Sequence, residues 1–474
     1  MNAGEREIEW MKHAYPVKNQ ESREESWNVS IKAGTASDEK LIRDWMSEVP
    51  GSRAPSHLVV AAVQCMRNRG YDVTEAEKYL DEGLAAAERK DGASLQVITS
   101  KIYSLLNQAP VDPFAKCWNY TLYESWDDIR KKADFSGKIR KSADVFSKDY
   151  EDRIYAGWTA QLVGAALGTQ VEGYNTDNIE KVFGTITSYI RPPETFNDDI
   201  TYEIAFLDAF DRYGYEVTSD QIAKKWLELI EDGYSAEEVA LRNLRLGIMP
   251  PESGKNLNYY SDWVGVQMRT MIHGMVAPGN PELAAKLAVT DGVISHSNSG
   301  IIGGMFNAVL VSLAFVQKDV QKLVLKTAEC IPKDSEYYSV VQFALNQCMN
   351  NKSWREAWRK CEEAFKEYNW IHVYPNVCAQ IIALWFGEED FDKTASIICM
   401  EGKDADCTAA PVLNTLGVMY GRKILPEKWT GPLGTTVHTL LRKYREFTIE
   451  ELCDKTIESV RKNSSITPGK LVIH

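Results

Sequence analysis

Gly402-Lys403-Asp404-Ala405-Asp406-Cys407-Thr408-Ala409-Ala410 sets two aspartates one residue apart, between two apolar stretches. The run Ile397-Ile398-Cys399-Met400 precedes it. A long apolar pattern follows, which predicts a helix over Thr408–Tyr420 closed by Gly421. Acids at a helix mouth serve as caps or first-turn partners of the helix dipole. As ionised, acceptor-only oxygens they also suit a hard cation such as Mg²⁺. The rest of the chain has to decide between these readings.

The chain has 474 residues, a net charge of −13 and 44% hydrophobic residues. At about 150 residues per domain, this length suggests about three units with a sizeable core. The acidic balance argues against nucleic acid or an anionic membrane as partner, except for nucleic acid as a modified substrate. An acidic surface still admits a phosphorylated ligand where metal ions or helix N-termini meet it. No run of about 18 apolar residues is present, so no transmembrane helix is expected. Met1–Gln20 is too charged for a signal peptide. The nine cysteines form no C-x-x-C pair, which predicts reduced, mostly buried thiols and a cytoplasmic location.

Helix signals recur and β-branched alternation is scarce. Thr74 with Glu77, Thr218 with Gln221, Ser235 with Glu238 and Ser353 with Glu356 read as capping boxes. Gly70, Gly214, Gly247 and Gly421 stand where left-handed stops belong. Asn280-Pro281-Glu282 reads as a cap, a first-position proline and a first-turn acid. These signals predict an all-α chain. Residues 1–110 form a smaller helical N-terminal unit without evident chemistry, 111–149 a connector, 150–460 the main domain and 461–474 a tail.

Acids fall at helix ends in two further places. Gly157, Gly164 and Gly168 lie on a small-residue helix that permits close helix approach, and Glu172 sits just past its end. Asn197-Asp198-Asp199-Ile200 opens an amphipathic helix that stops at Gly214. His296 stands in a short polar loop before an apolar helix over Ile301–Phe315. The other histidines lack ligand-like spacing, which argues against zinc. Taken alone, each acid pair reads first as a cap.

In this order the motifs resemble the ADP-ribosylglycohydrolase family, the dinitrogenase-reductase-activating glycohydrolase-like fold. Gly164, Gly168 and Glu172 match its G-D-x-x-G-x-x-x-E. Asn197-Asp198-Asp199-Ile200 stands for T-D-D-T. Asp404-Ala405-Asp406-Cys407-Thr408-Ala409-Ala410 is similar to one bacterial branch's D-T-D-C-N-A-A. Pro250–Gly254 and Asn258–Arg269 resemble the ligand loop, His296–Gly304 the H-x-G-x-G-x-x-G segment, and Leu425–Trp429 the closing I-P-x-x-W. The resemblance covers about residues 150–460.

The resemblance implies an orthogonal multi-helix all-α domain and a Mg²⁺-dependent hydrolase of ribosyl anomeric bonds. Its substrate would be an ADP-ribosylated protein or a related N-ribosyl or ADP-ribosyl compound. It implies two Mg²⁺ ions, with Mn²⁺ as a substitute, held by Asn197, Asp198, Asp199, Asp404, Asp406 and Cys407. Glu172 and Asp199 would be catalytic. Trp263, Gly265, Gln267, His296, Asn298 and Gly300 would bind substrate. Four positions depart from the pattern. Ala165 replaces an early aspartate, Asn197 a threonine, Ala405 the middle threonine and Cys407 the last one. A thiol is a poor Mg²⁺ ligand, so Thr408 or a backbone carbonyl would have to compensate.

The departures keep open an altered, ADP-ribose-binding or structural member of the same fold. The apolar run followed by Asp404-Ala405-Asp406-Cys407-Thr408 also mimics the strand and D-x-D-x-T nucleophile of haloacid-dehalogenase phosphatases. Too little chain follows it to supply that fold's downstream acids.

Overall fold

The computed structural model describes residues 1–16, 18, 23–136 and 143–466. It is mostly helical; its strands form two short antiparallel ribbons, Ser47–Glu48 with Pro55–Ser56 and Thr436–His438 with Glu446–Thr448. The all-α reading holds. No helix of the described residues is long and apolar enough to cross a membrane. Residues 137–142 of the connector and 467–474 of the tail lie outside the described residues.

The domain is built around one helix pair, Lys148–Gly168 against Ala405–Tyr420. The first is buried from Ala156 onward and the second along almost its whole length. A helix surrounded by protein on all sides needs side chains small enough for its neighbours to approach. Gly157, Gly164 and Gly168 provide that face on the first helix, and Ala405, Ala409 and Gly417 on the second. A Cβ at Gly164 would meet the Ala409 carbonyl, and one at Gly168 would run into the Ala405 carbonyl and the Asp406 amide. A Cβ at Gly417 would in turn strike the Ala156 carbonyl. Gly168→Ala is therefore expected to destabilise the fold by about 1–3 kcal/mol, because the obstacle is backbone and cannot rotate away. A shift in the urea midpoint at unchanged m-value would measure it; no shift would mean that the two helices are not in close contact.

The N-terminal unit packs onto this domain rather than standing apart. Its helices Arg23–Trp45, Leu58–Asn68 and Gly92–Leu106 enclose Trp45, whose Nε1 donates to Thr99 Oγ1 at 2.7 Å. Side-chain hydrogen bonds and an ion pair tie it down. Ser56 Oγ lies 2.5 Å from the Tyr234 hydroxyl, Tyr260 donates to the Leu58 carbonyl at 2.9 Å, and Lys40 Nζ pairs with Glu238 at 2.8 Å.

Two of the four capping boxes form, at Thr218/Gln221 and Ser353/Glu356. Ser235 does not cap. Its φ is +47°, Tyr234 takes the cap position, and Glu238 is drawn away to Lys40. Thr74 does not cap either, because Asp72 Oδ1 takes the Thr74 amide and Glu77 pairs with Arg67. In both cases a partner outside the helix outcompetes the local motif. Gly70, Gly214, Gly247 and Gly421 all adopt positive φ, as their positions required.

Candidate functional site

Ile397–Met400 belongs to a helix, Phe391–Glu401, and not to a strand. That removes the strand on which the phosphatase reading depended. The following helix begins at Ala405, three residues earlier than expected, so Asp406 lies in its first turn. Asp404 occupies the cap position, yet its side chain makes no capping hydrogen bond. The carboxylate is left for something else.

The hinge before it is tightly specified. Gly402 has φ +69° and its α-carbon faces the Tyr174 carbonyl so closely that a Cβ would clash. Lys403 holds φ +61°, an unfavourable conformation for a residue with a side chain. Lys403 N donates to the Tyr174 carbonyl at 2.9 Å, and Gly173 N donates to the Lys403 carbonyl at 2.7 Å. These bonds fasten the turn after the Lys148–Gly168 helix to the Asp404 hinge. Glu172, in that turn, is thereby set beside Asp406 and Asp404. Asn376, on the apolar helix Val373–Gly387, adds a clip: its Oδ1 accepts from Asp404 N at 3.1 Å, and its Nδ2 donates to the Trp370 and His372 carbonyls.

The second acid pair arrives on the helix Asp198–Tyr213. Asn197 caps it, its Oδ1 accepting from Asp199 N at 2.8 Å. The amide's other end, Nδ2, donates to Asp406 Oδ2 at 3.3 Å. Asn197 thus presents a donor to the acid cluster, with its oxygen committed to the cap and not free for a cation as the resemblance implied. Cys407 Sγ lies 3.5 Å from Asp199 Oδ1 and 3.6 Å from Met268 Sδ. Thr408, the suggested substitute ligand, turns its hydroxyl back to the Asp404 and Ala405 carbonyls of its own helix. Among the described residues Asp404, Asp406 and Cys407 offer ligand atoms all within 4.8 Å of one another.

The electrostatics run against the expectation that helix N-termini keep these aspartates ionised. Burial, then repulsion from neighbouring carboxylates, pushes Asp199 and Asp404 well above the usual range and Asp198 up to about 6. Half a unit of dipole charge per helix cannot offset several carboxylates gathered out of water. Glu172 is raised well above its ordinary value, by burial first and by Asp406 next. Burial and the same acids push the Cys407 thiol up as well.

Glu172, Asp198, Asp404, Asp406 and Cys407 line a cavity of about 440 Å³, and Asp199 is fully buried in its wall beside Cys407. Of the residues that the resemblance assigned to substrate, Gly265 lines it. Trp263 sits behind the wall, bridged to His372. Gln267 is in the core, accepting from the Tyr337 hydroxyl at 3.0 Å. Gly300 packs against the Ser261 carbonyl. Asn298 opens onto a smaller cavity of about 170 Å³. His296 is fully buried, its Nδ1 2.7 Å from Ser295 Oγ and 3.8 Å from Glu237 Oε1, and burial depresses its pKa well below the ordinary value.

Several contributors had no sequence signal strong enough to single them out. Glu237 lines the cavity and pairs with the buried Arg269, Nη1 to Oε1 at 2.7 Å. The segment Ser47–Pro50 and Ser56 of the N-terminal unit, in which the sequence showed no evident chemistry, form one wall. Phe196, Tyr234 and Trp370 supply aromatic surface. A lone Asn in an apolar helix marks Asn376; the wall residues carry no such mark.

A divalent cation fits this donor set. Asp199 Oδ2 and Asp406 Oδ1 are buried without a hydrogen-bond partner among the described residues, and no Lys, Arg or His is among the described residues that line the cavity. Clustered buried carboxylates are tolerated when they bind protons or a cation.

The sequence profile of the ADP-ribosylglycohydrolase family matches residues 147–464. An uncharacterised protein of Archaeoglobus fulgidus is 25% identical over 313 residues, which cover 62% of this chain and 93% of that one. A solved ADP-ribosylglycohydrolase-related protein complex superimposes with a TM-score of 0.48 at 18% identity, over 67% of this chain and 100% of that chain. With the profile spanning well over half of its length, the chain belongs to the ADP-ribosylglycohydrolase family.

Proposed function

We propose that the protein is a Mg²⁺-dependent glycohydrolase that cleaves the anomeric bond of an N-ribosyl or ADP-ribosyl compound. The observation that carries this reading is the convergence of Glu172 with Asp198, Asp404 and Asp406 on one cavity, with the buried Asp199 beside Cys407 of its wall. The four aspartates would hold the divalent ions, two by family likeness and Mn²⁺ serving in place of Mg²⁺. Bound there, such ions orient ribose hydroxyls and polarise a hydroxyl or water. Glu172, its pKa raised by burial and by Asp406, is suited to donate a proton to the leaving nitrogen or oxygen. As a carboxylate it then takes a proton from the attacking water. Asn197 donates to Asp406 and so steadies one ligand.

Release of the ribosyl group from ADP-ribosylated protein or an α-N-ribosyl compound, with and without Mg²⁺, tests the reading. No release, or release that a chelator leaves untouched, rules it out. A second reading is a binder of the same ligand without turnover. The thiol of Cys407 and the committed oxygen of Asn197 support it. It predicts ligand binding that Mg²⁺ does not strengthen.

The pKa directions add a pH test. Asp198 is raised to about 6 and Glu237 to about 7, from 3.8 and 4.5. The folded chain thus keeps protons that the unfolded chain releases, and stability without Mg²⁺ is expected to fall as pH rises through that interval. A cation must displace the proton of its ligand Asp198, so added Mg²⁺ should raise Tm more at pH 8 than at pH 6. Equal shifts at both values would count against ligation by these carboxylates.

A further inference from the structure

We propose that Glu48, carried by the N-terminal unit, is a specificity-determining residue of this cavity and favours ribosyl compounds whose leaving group is a cation. The inference rests on the hydrolase reading and narrows its substrate.

Glu48 lies outside residues 147–464, the segment that the family profile matches. Its position is nevertheless fixed to the site. It pairs with Pro55 in the first ribbon. The hairpin between them is closed by Val49 N, which donates to the Ala54 carbonyl at 2.8 Å, and by Arg53 N, which donates to the Val49 carbonyl at 2.9 Å. This hairpin docks on the turn that bears Glu172. The Tyr174 hydroxyl donates to the Ser52 carbonyl at 3.1 Å, and Ala54 lies so close to Gly173 that a side chain there would strike its Cβ. Ser56, on the returning strand, meets the Tyr234 hydroxyl at the rim. Glu48 therefore lines the cavity from an anchored ribbon.

Most carboxylates of the cavity already have a task. Asp198, Asp404 and Asp406 are the metal ligands of the proposed reaction, Glu172 moves the proton, and Glu237 is paired with Arg269 at 2.7 Å. Glu48 and Asp232 line the same space and make no hydrogen bond or ion pair among the described residues. Two cations of adjoining segments are engaged elsewhere. Lys40 Nζ is held by Asp44 at 3.1 Å and Glu238 at 2.8 Å, and Arg191 Nη2 donates to the Thr169 carbonyl at 3.4 Å. Unpaired carboxylates at a cavity wall attract a cationic group of the ligand. The aromatic surface acts in the same direction. Phe196 is 51% exposed and Tyr234 39%, and Trp370 lines the same space. Phe196 stacks on His438 with centroids 5.2 Å apart, which fixes its plane. Aromatic faces of this kind attract a cation through the ring quadrupole.

The test compares nicotinamide riboside, a pyridinium cation, with its neutral dihydro form, each as an anomeric mixture at fixed free Mg²⁺. Calorimetry on the full-length Glu172→Gln protein reads affinity without turnover. The cation is expected to bind at least about tenfold tighter than the neutral form, and the preference to shrink as salt is raised. Glu48→Gln, added to that protein, keeps the size of the side chain. It is expected to cut the preference by about threefold, with affinity for the neutral form unchanged. Equal binding of the two forms overturns the proposal, and so does absence of binding by both. A preference that Glu48→Gln leaves untouched overturns it as well. An equal loss of both affinities would make Glu48 a structural part of the wall and would also overturn it. The two readings fail separately. Mg²⁺-dependent release by the wild type without this charge preference overturns the selection and leaves the hydrolase standing. A preference that depends on Glu48, without hydrolysis by the wild type, overturns the hydrolase and leaves the selection.

Discussion

Glu172→Gln is expected to lower kcat by about 10²–10⁴-fold while leaving folding and Mg²⁺ binding in place. The glutamine keeps the size of the side chain and removes the proton that can be given up and taken back. Glu172 is held by backbone on both sides: its own amide donates to the Gly168 carbonyl at 3.0 Å, and Gly173 N reaches Lys403. The substitution should therefore not move the turn. Burial and Asp406 already disfavour the charged form of Glu172, so its neutral isostere should leave Tm unchanged or higher. Steady-state kinetics at saturating Mg²⁺, with calorimetric titration of the metal, would separate the two effects. Unchanged kcat would take Glu172 out of the chemistry.

Arg269→Met should be the most destabilising of the substitutions considered, by about 3–5 kcal/mol. The guanidinium is wholly buried and lies between two acids, Nη1 to Glu237 at 2.7 Å and Nε to Asp291 at 3.2 Å. It also lies over the rings of Trp226 and Tyr202, at 4.8 and 5.3 Å to their centroids. Methionine fills much of the volume but leaves both carboxylates buried without a countercharge, and Asp291 Oδ1 already lacks a partner among the described residues. Urea denaturation at neutral pH would read the loss. Adding Glu237→Gln to Arg269→Met should recover part of it, because one of the stranded charges is then gone. A loss under about 1 kcal/mol would mean that the acids simply take up protons.

Most of the acids proposed for the chemistry could be read along the chain because they sit at helix ends with strong local marks. Asn197 and Gly214 bound one helix, Gly421 closes another, and Gly164 and Gly168 announce a close helix contact; each does so in the fold. The walls of the cavity carried no such marks. Trp263, Gln267, His296 and Gly300 stand in segments of the expected kind but face the core, because a short irregular segment gives no periodicity from which to tell inside from outside. Asn298 faces a different cavity for the same reason. Ser47–Pro50 and Glu237 reach the site only because distant elements dock there.

The sequence by itself determined an all-α chain of this family, the small-residue helix face, and the acids at the helix starts. Spacing, caps and glycines are local properties, and local sterics enforce them. Tertiary structure alone decided what those acids became. Gly402-Lys403-Asp404-Ala405-Asp406 could have been an ordinary cap. The hinge bonds to Tyr174, the Asn376 clip and the glycine contact instead bring Asp404 and Asp406 against Glu172 and Asp198. Crowding carboxylates out of water then raised the pKa of Asp198, Asp199 and Asp404, opposite to what a lone helix terminus would favour, because burial and mutual repulsion outweigh a helix dipole.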